Sequence, residues 1–403
     1  MGVTIHFDII QTITFAVFLL FVGIFLRKKI HVLKKYNIPA PVIGGLIFAF
    51  LNWGLQRSSI ELIFDTTLQD IFMIAFFTSI GMGASIRVLK EGGSKLITFL
   101  LVASVLLALQ NIVSWALSIV TGLDPLLGLL AGSITMSGGH GTGATFAKYF
   151  AEQFNLSGAM EVAMAAATFG LVSGSIVGGP VSRFLIIRKK LKPVIEDNQD
   201  LAAAEKDLAA EEQNPIEGDD ILRSVFQITL CMSVGAILYD FFGRHGVKVP
   251  TYLFSLFIGI VVRNAAEIKG WYRVNVRLIE TIGSTSLSLF LAMALMSLKL
   301  WHLVNLAIPM LVILSGQVVL MVSYAIFVTF NLNGRDYDAA VLSGGHCGFG
   351  LGATPNAIAN MQAITERHGP APRAYFLVSI VGAFFIDIVN ALVIQGFVSI
   401  MPK

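Results

Sequence analysis

Apolar residues run in long stretches along this chain, and polar residues gather between them. Such stretches fall near 7–26, 38–55, 69–86, 96–120 and 160–187, then near 221–242, 250–263, 280–298, 303–330 and 374–400. Their helical length, roughly 20 residues, suits a hydrocarbon core of ~30 Å, and they lack the roughly 10-residue alternation of outer-membrane barrel strands. The pattern predicts an all-α polytopic membrane protein with ten transmembrane helices. The 250–263 stretch is short, and Asn264, Ala265 and Ala266 extend it. The first stretch has no basic leader and no small-residue cleavage site, so it reads as a retained helix rather than a signal peptide.

Two glycine-rich segments interrupt the pattern, near 125–150 and 337–361. One contains Ser137-Gly138-Gly139-His140-Gly141-Thr142-Gly143-Ala144-Thr145. The other contains Ser343-Gly344-Gly345-His346-Cys347-Gly348, running on to Gly352-Ala353-Thr354-Pro355. Both begin Ser-Gly-Gly-His, reach Gly-Ala-Thr, and sit between the fourth and fifth stretches of their half. They are expected to be non-helical re-entrant loops at membrane depth. Unpaired backbone costs several kcal/mol in hydrocarbon and survives only in packed protein or beside a wet cavity. Glycine permits the reversals and leaves N–H groups uncovered, which with helix N-termini suits a carboxylate. Freed carbonyls at half-helix ends suit a sodium ion. The plainer alternative is that small residues only let helices pack closely.

Charge gives the topology. If both motif segments re-enter, most of the 28 Lys and Arg residues share one side, including Arg27, Lys28, Lys29, Lys34 and Lys35. The other side holds Arg57, Lys148, Arg244, Lys248, Lys299 and Lys403. The positive-inside rule then puts both termini outside. Five spans per half is odd, so the halves insert in opposite orientations. Ile38-Pro39 resembles Val249-Pro250 in pattern, as an inverted repeat requires. Interrupted segments in an inverted repeat point to a secondary transporter's binding site. The expected organisation is an N-terminal repeat over 1–190, an acidic cytoplasmic linker over 191–220 and a C-terminal repeat over 221–403. Within the linker, 202–212 has the composition of a short helix.

Composition agrees. The chain of 403 residues is 55% apolar and 13% charged, with net charge +3. Soluble domains carry about 25% charged residues. The small net charge implies no nucleic-acid partner. Cys231 and Cys347 suggest no disulfide framework, and no His/Cys/carboxylate grouping with metal spacing, nucleophile–base set or cofactor motif is evident. The reading is therefore not an enzyme.

Asp387 is the conspicuous ionisable residue within a predicted span. Burial at the bilayer centre costs about 2.5–3.5 kcal/mol, so it is expected to face a cavity or a partner. Asn390 follows at i+3 on the same face. Together they suit sodium or a substrate ammonium; a structural carboxylate is the alternative. His140 and His346 occupy matching positions, open to substrate hydrogen bonding, proton coupling or bracing of a turn. Gln110, Asn111 and Gln317 are expected to hydrogen-bond between helices, and Arg373 is a weaker candidate for an acidic substrate.

Through these motifs, and through Ser286-Leu-Ser-Leu-Phe-Leu-Ala-Met-Ala-Leu-Met296 and Gly382-Ala-Phe-Phe-Ile-Asp-Ile-Val-Asn390, the chain resembles the bacterial sodium/glutamate symporter family nearly end to end. The resemblance implies multi-pass residence in the bacterial inner membrane and inward transport of L-glutamate with sodium. It also implies a fold of two inverted five-helix repeats, a homodimer, an elevator-type cycle and no cofactor beyond the coupling sodium ions. A sodium- or proton-coupled carrier of citrate, malate or another dicarboxylate is the rival. The candidate substrate residues are Ser137, Gly138, Gly139, His140, Gly141, Thr142, Thr145, Ser343, Gly344, Gly345, His346 and Thr354. The candidate sodium ligands are Asp387, Asn390, Thr135 and Asn356.

Overall fold

The computed structural model describes residues 3–57, 60–193, 218–245, 249–269, 274–296, 298 and 306–400. Each predicted apolar stretch is met by a helix. In the first half these are α1 (Ile9–Lys29), α3 (Ala40–Arg57), α4 (Thr67–Gly83), α6 (Gly93–Thr121) and α9 (Ala159–Lys189), with short helices α2 (His31–Lys35) and α5 (Ile86–Glu91) between them. The second half supplies α10 (Gly218–Arg244), α11 (Thr251–Lys269), α12 (Val276–Met296), α13 (Ala307–Leu332) and α16 (Pro372–Ile400). Among the described residues, eight helices are long and apolar enough to span a membrane; α3 and α4 have apolar runs of fewer than 18 residues. The short 250–263 stretch does extend, to Lys269. Most of the acidic linker, 194–217, lies outside the described residues and so does the expected 202–212 helix.

Local chemistry sets the helix ends. Asp8 accepts from the Gln11 amide at 2.8 Å while Gln11 accepts from the Asp8 amide at 3.1 Å, a closed capping box. The last turn of α1 carries Arg27, Lys28 and Lys29, which complement the helix dipole. α6 stops at Gly122, in the left-handed region at φ +70°.

One feature departs from an all-helical chain. Strands β1 (Val3–Phe7) and β2 (Ile60–Phe64) pair in parallel, Val3 opposite Ile60 and Phe7 opposite Phe64. An isolated pair of strands is marginal in water. Here phenylalanines brace it: Phe7 stacks on Phe64 at 4.8 Å, and Phe15 of α1 meets Phe48 of α3 edge-on at 5.0 Å.

The helices pack in two groups. The first joins α1, α3, α4, α10, α11 and α12; the second joins α6, α9, α13, α16 and the two glycine-rich segments. Larger contacts between the groups run from α12 to the first glycine segment and from α4 to α16. Each group draws helices from both sequence halves. Exchanging the halves preserves the main pairs of the first group. Thus α1–α3 answers α10–α11, α3–α12 answers α11–α4, and α4–α12 maps onto itself. In the second group α6–α13 likewise maps onto itself.

Candidate functional site

The first glycine segment is a helix broken twice. α7 (Pro125–Leu129) starts at Asp124, whose carboxylate accepts from the Leu126 amide at 2.8 Å. It passes into a π-helical turn, Leu130–Ile134, in which Gly132 leaves helical geometry at ψ −142°. Ser137 and Gly138 form a turn, and α8 (Gly139–Phe154) begins at φ +64°, a conformation that favours glycine. Ser137 and Gly138 thus sit at a helix break, but the rest of the segment, His140 included, is helical rather than the non-helical loop expected.

The second segment corrects the expectation. Ser343, Gly344, Gly345 and His346 lie inside a regular helix, α14 (Tyr337–Leu351). The break comes later, at Gly352 (φ −151°, ψ −90°) and the extended Ala353, and α15 (Thr354–His368) follows with Pro355 in its first turn. The glycines of α14 serve close packing instead. A side chain on Gly344 would meet Gly178 and Ser182 of α9, and one on Gly348 would meet Ala357 of α15.

The two breaks meet. A Cβ on Gly139 would lie 3.4 Å from the Gly352 carbonyl oxygen. Ser137 Oγ donates to Gln110 Oε1 at 2.8 Å, and Gln110 Nε2 donates to the Gly350 carbonyl at 2.6 Å. Gln317 Nε2 donates to the Gln110 carbonyl at 2.8 Å. Asn111 Oδ1 accepts from the Ser133 amide at 2.8 Å. The polar pair in α6 therefore bonds between helices as expected, and it also ties one break to the other. Two helix N-termini, those of α8 and α15, lie beside this contact, and their dipoles favour an anion; in α15 Pro355 has no N–H and the Asn356 and Ala357 amides bond to the Ala353 carbonyl.

Helix α16 runs past both breaks. At its π turn, Val381–Phe385, the Gly382 carbonyl accepts from Thr354 Oγ1 at 2.7 Å. Two turns later, Asn390 Nδ2 donates to the Ser133 carbonyl at 3.0 Å and lies 2.8 Å from where a Gly138 Cβ would stand. Asp387 sits between these two attachments. It is half-buried and has no hydrogen bond or ion pair among the described residues. Asn390 Oδ1, Ser133 Oγ and Gln317 Oε1 are buried acceptors without a partner among those residues. Asn390 follows Asp387 by three residues on one helix, and a carboxylate with a neutral amide oxygen is the kind of oxygen pair that suits a hard monovalent cation.

The remaining candidates divide. Thr135 Oγ1 donates to the Leu130 carbonyl at 2.6 Å, and Thr145 Oγ1 to the Gly141 carbonyl at 2.9 Å. Thr142 is buried beside Gly138, and Gly141 packs against Leu287 and Phe76. Ser343 Oγ donates to the Ala339 carbonyl at 2.8 Å within its own helix. Asn356 is engaged with the Leu171 carbonyl at 3.0 Å and with Asn37 at 2.6 Å, rather than with Asn390. Both histidines are buried and each bonds a threonine. His140 Nε2 lies 3.1 Å from Thr168 Oγ1, whose own hydrogen goes to the Met164 carbonyl, so the histidine donates. His346 Nδ1 lies 2.9 Å from Thr329 Oγ1, its ring set against Phe99 and Phe349. That is bracing geometry. Arg373 pairs with Asp336, the cap of α14, away from the breaks.

Sequence reasoning did not single out Ser133, Thr168 or Gly352. Ser133 falls within the first glycine-rich segment, but nothing in its spacing marked it as the residue that α16 grips. A separate cleft of about 760 Å³ opens between α4, α8 and α10, lined in part by Thr145, Asp70, Lys148 and Arg244. Across it Lys148 Nζ pairs with Asp70 at 2.5 Å.

Residues 5–370 match the family described as Sodium/glutamate symporter. A protein of that name from Escherichia coli (strain K12) is 48% identical over 392 residues, 97% of each chain. One from Haemophilus influenzae is 45% identical over 394 residues, 96% of each. Among solved structures, the sodium proton antiporter MjNhaP1 from Methanocaldococcus jannaschii covers 98% of both chains at 14% identity and TM-score 0.43. With a family match over most of its length and near-half identity to these relatives, this multi-pass membrane chain belongs to the sodium/glutamate symporter family.

Proposed function

We propose that this chain imports L-glutamate together with sodium ions across a bacterial inner membrane. The observation that carries the reading is the position of Asp387 on α16 between its attachments to the two breaks, at Thr354 and at Ser133. Sodium is held by the Asp387 carboxylate and Asn390 Oδ1, where it neutralises a charge that is costly at membrane depth. The substrate carboxylates face the N-termini of α8 and α15, with the Ser137, Thr142 and Thr354 hydroxyls nearby. Sodium and glutamate then favour one another, and by linkage equally. Glutamate carries net charge −1, so two or more sodium ions make the cycle electrogenic. Each net positive charge crossing ~100 mV supplies about 2.3 kcal/mol.

The glycine segments are read as re-entrant loops and the halves as inverted repeats over 1–190 and 221–403, joined by the acidic linker. The exchange of helix pairs between the halves supports this. An elevator cycle moves the second packed group, which carries both breaks, against the first. A homodimer completes the reading.

The test is labelled L-glutamate uptake in proteoliposomes under an inward sodium gradient, for the parent and Asp387→Asn. Sodium-driven uptake, lost in the folded variant, is expected. Uptake driven by protons alone would overturn the coupling ion and implicate the histidines. Absence of glutamate uptake with uptake of citrate or malate would overturn the substrate.

A further inference from the structure

The last turns of α9 and of α15 enclose a groove of about 920 Å³. Arg183, Arg188, Arg367 and His368 line it, and no lining residue is acidic. Pro180, Phe184, Ile187 and Ile364 form its apolar part. Phe184 and Ile187 are 44% and 58% exposed, and Ile176, two turns up the same face of α9, is 52% exposed. Arg188 lies over the Phe184 ring at 5.6 Å. Among the described residues the three arginines have no ion pair. The acid on these turns of α15, Glu366, already accepts from Gln362 Nε2 at 3.0 Å.

Two chemistries thus share one groove. Three guanidiniums call for an anion with several oxygens, because the planar fork matches phosphate. The apolar wall continues up α9 to Ile176, which the described residues leave exposed. A free anion would leave that wall unexplained. The groove also lies at the end of α9 where cations crowd, the side that the charge distribution assigns to the cytoplasm, where basic pockets between spanning helices meet anionic headgroups.

We propose that this groove binds an anionic phospholipid, its phosphate among Arg183, Arg188 and Arg367 and one acyl chain along Phe184 and Ile187. Both walls belong to the packed group that carries the two breaks, so the lipid grips that group. The acidic segment after α9 is the rival occupant.

The test is native mass spectrometry of the full chain with phosphatidylglycerol or phosphatidylcholine. The expected result is preferential retention of phosphatidylglycerol by the parent. Retention falls at least fivefold in R183Q/R188Q/R367Q and in Phe184→Ser, but not in a control with the same charge loss, K28Q/K34Q/K35Q. Equal retention by the parent and the triple variant overturns the proposal. So does displacement of the lipid by inorganic phosphate, or cross-linking of Arg367 to the acidic segment in phosphatidylglycerol membranes. A photoactivatable phosphatidylglycerol on the parent removes dependence on variant folding. Labelling within 179–190 and 363–368 is expected, and labelling elsewhere alone overturns the site. Glutamate uptake is not the readout, so failure here leaves the transport reading standing, and the reverse holds.

Discussion

Asn390 works with both ends of its amide. Its nitrogen holds the Ser133 carbonyl, and its oxygen is a buried acceptor without a protein partner among the described residues. A buried acceptor left unmet costs about 1–3 kcal/mol, and a bound cation removes that cost. Asn390→Ala is therefore expected to raise the sodium concentration needed for half-maximal uptake by about tenfold, equivalent to about 1.4 kcal/mol. An unchanged sodium dependence in a folded variant would remove Asn390 from the cation site. The histidines behave differently. Each spends a ring nitrogen on a threonine, which fits a brace.

At the scale of elements, glycine does two different jobs in two similar sequences. In the first segment Gly139 supplies a positive φ at a helix break. In the second, glycine allows approach. A Cβ on Gly170 of α9 would run into the Leu351 carbonyl, and one on Gly348 into the Ala357 backbone. Backbone has little room to yield, and overpacking of this kind costs typically 1–3 kcal/mol. Gly170→Ala and Gly348→Ala are each expected to lower stability by about that amount, read as thermal unfolding in detergent. Gly179→Ala, where the space is open, is the control and should raise stability by up to about 1 kcal/mol, the helix-propensity gain. Equal effects at all three positions would sink the distinction.

At the scale of the whole molecule, two packed groups face each other across few large contacts. The Lys148–Asp70 pair bridges them, from α8 to α4. Its Asp70 side chain is 50% exposed, so the pair contributes little to stability, about 0–1 kcal/mol. A covalent tether there is another matter. With Lys148→Cys and Asp70→Cys joined by a short reducible cross-linker, uptake is expected to stop and to return on reduction. Full cross-linking with undiminished uptake would overturn relative motion of the groups as part of the cycle.

The sequence by itself determined the helices of the ten apolar stretches, because the hydrocarbon core demands long apolar runs and tolerates little else. It also marked Asp387, Asn390 and Gln110, since polar groups in such runs stand out. It did not determine the strand pair: Val3 to Phe7 alternates apolar and polar, but over only five residues, and Ile60 to Phe64 is nearly all apolar, so the pair holds through phenylalanines from α1 and α3. Nor did it determine the second break. Ser343 to His346 repeats the first motif, yet it stays helical. The intrinsic cost of helical glycine, about 1 kcal/mol each, is offset by close packing on α9 and α15, contacts that no local pattern reveals. Only the tertiary structure decided that Gly139 and Gly352 meet, and that α16 sets Asp387 between the attachments of the two breaks. Residues hundreds of positions apart became neighbours through packing, and spacing along the chain holds no record of that.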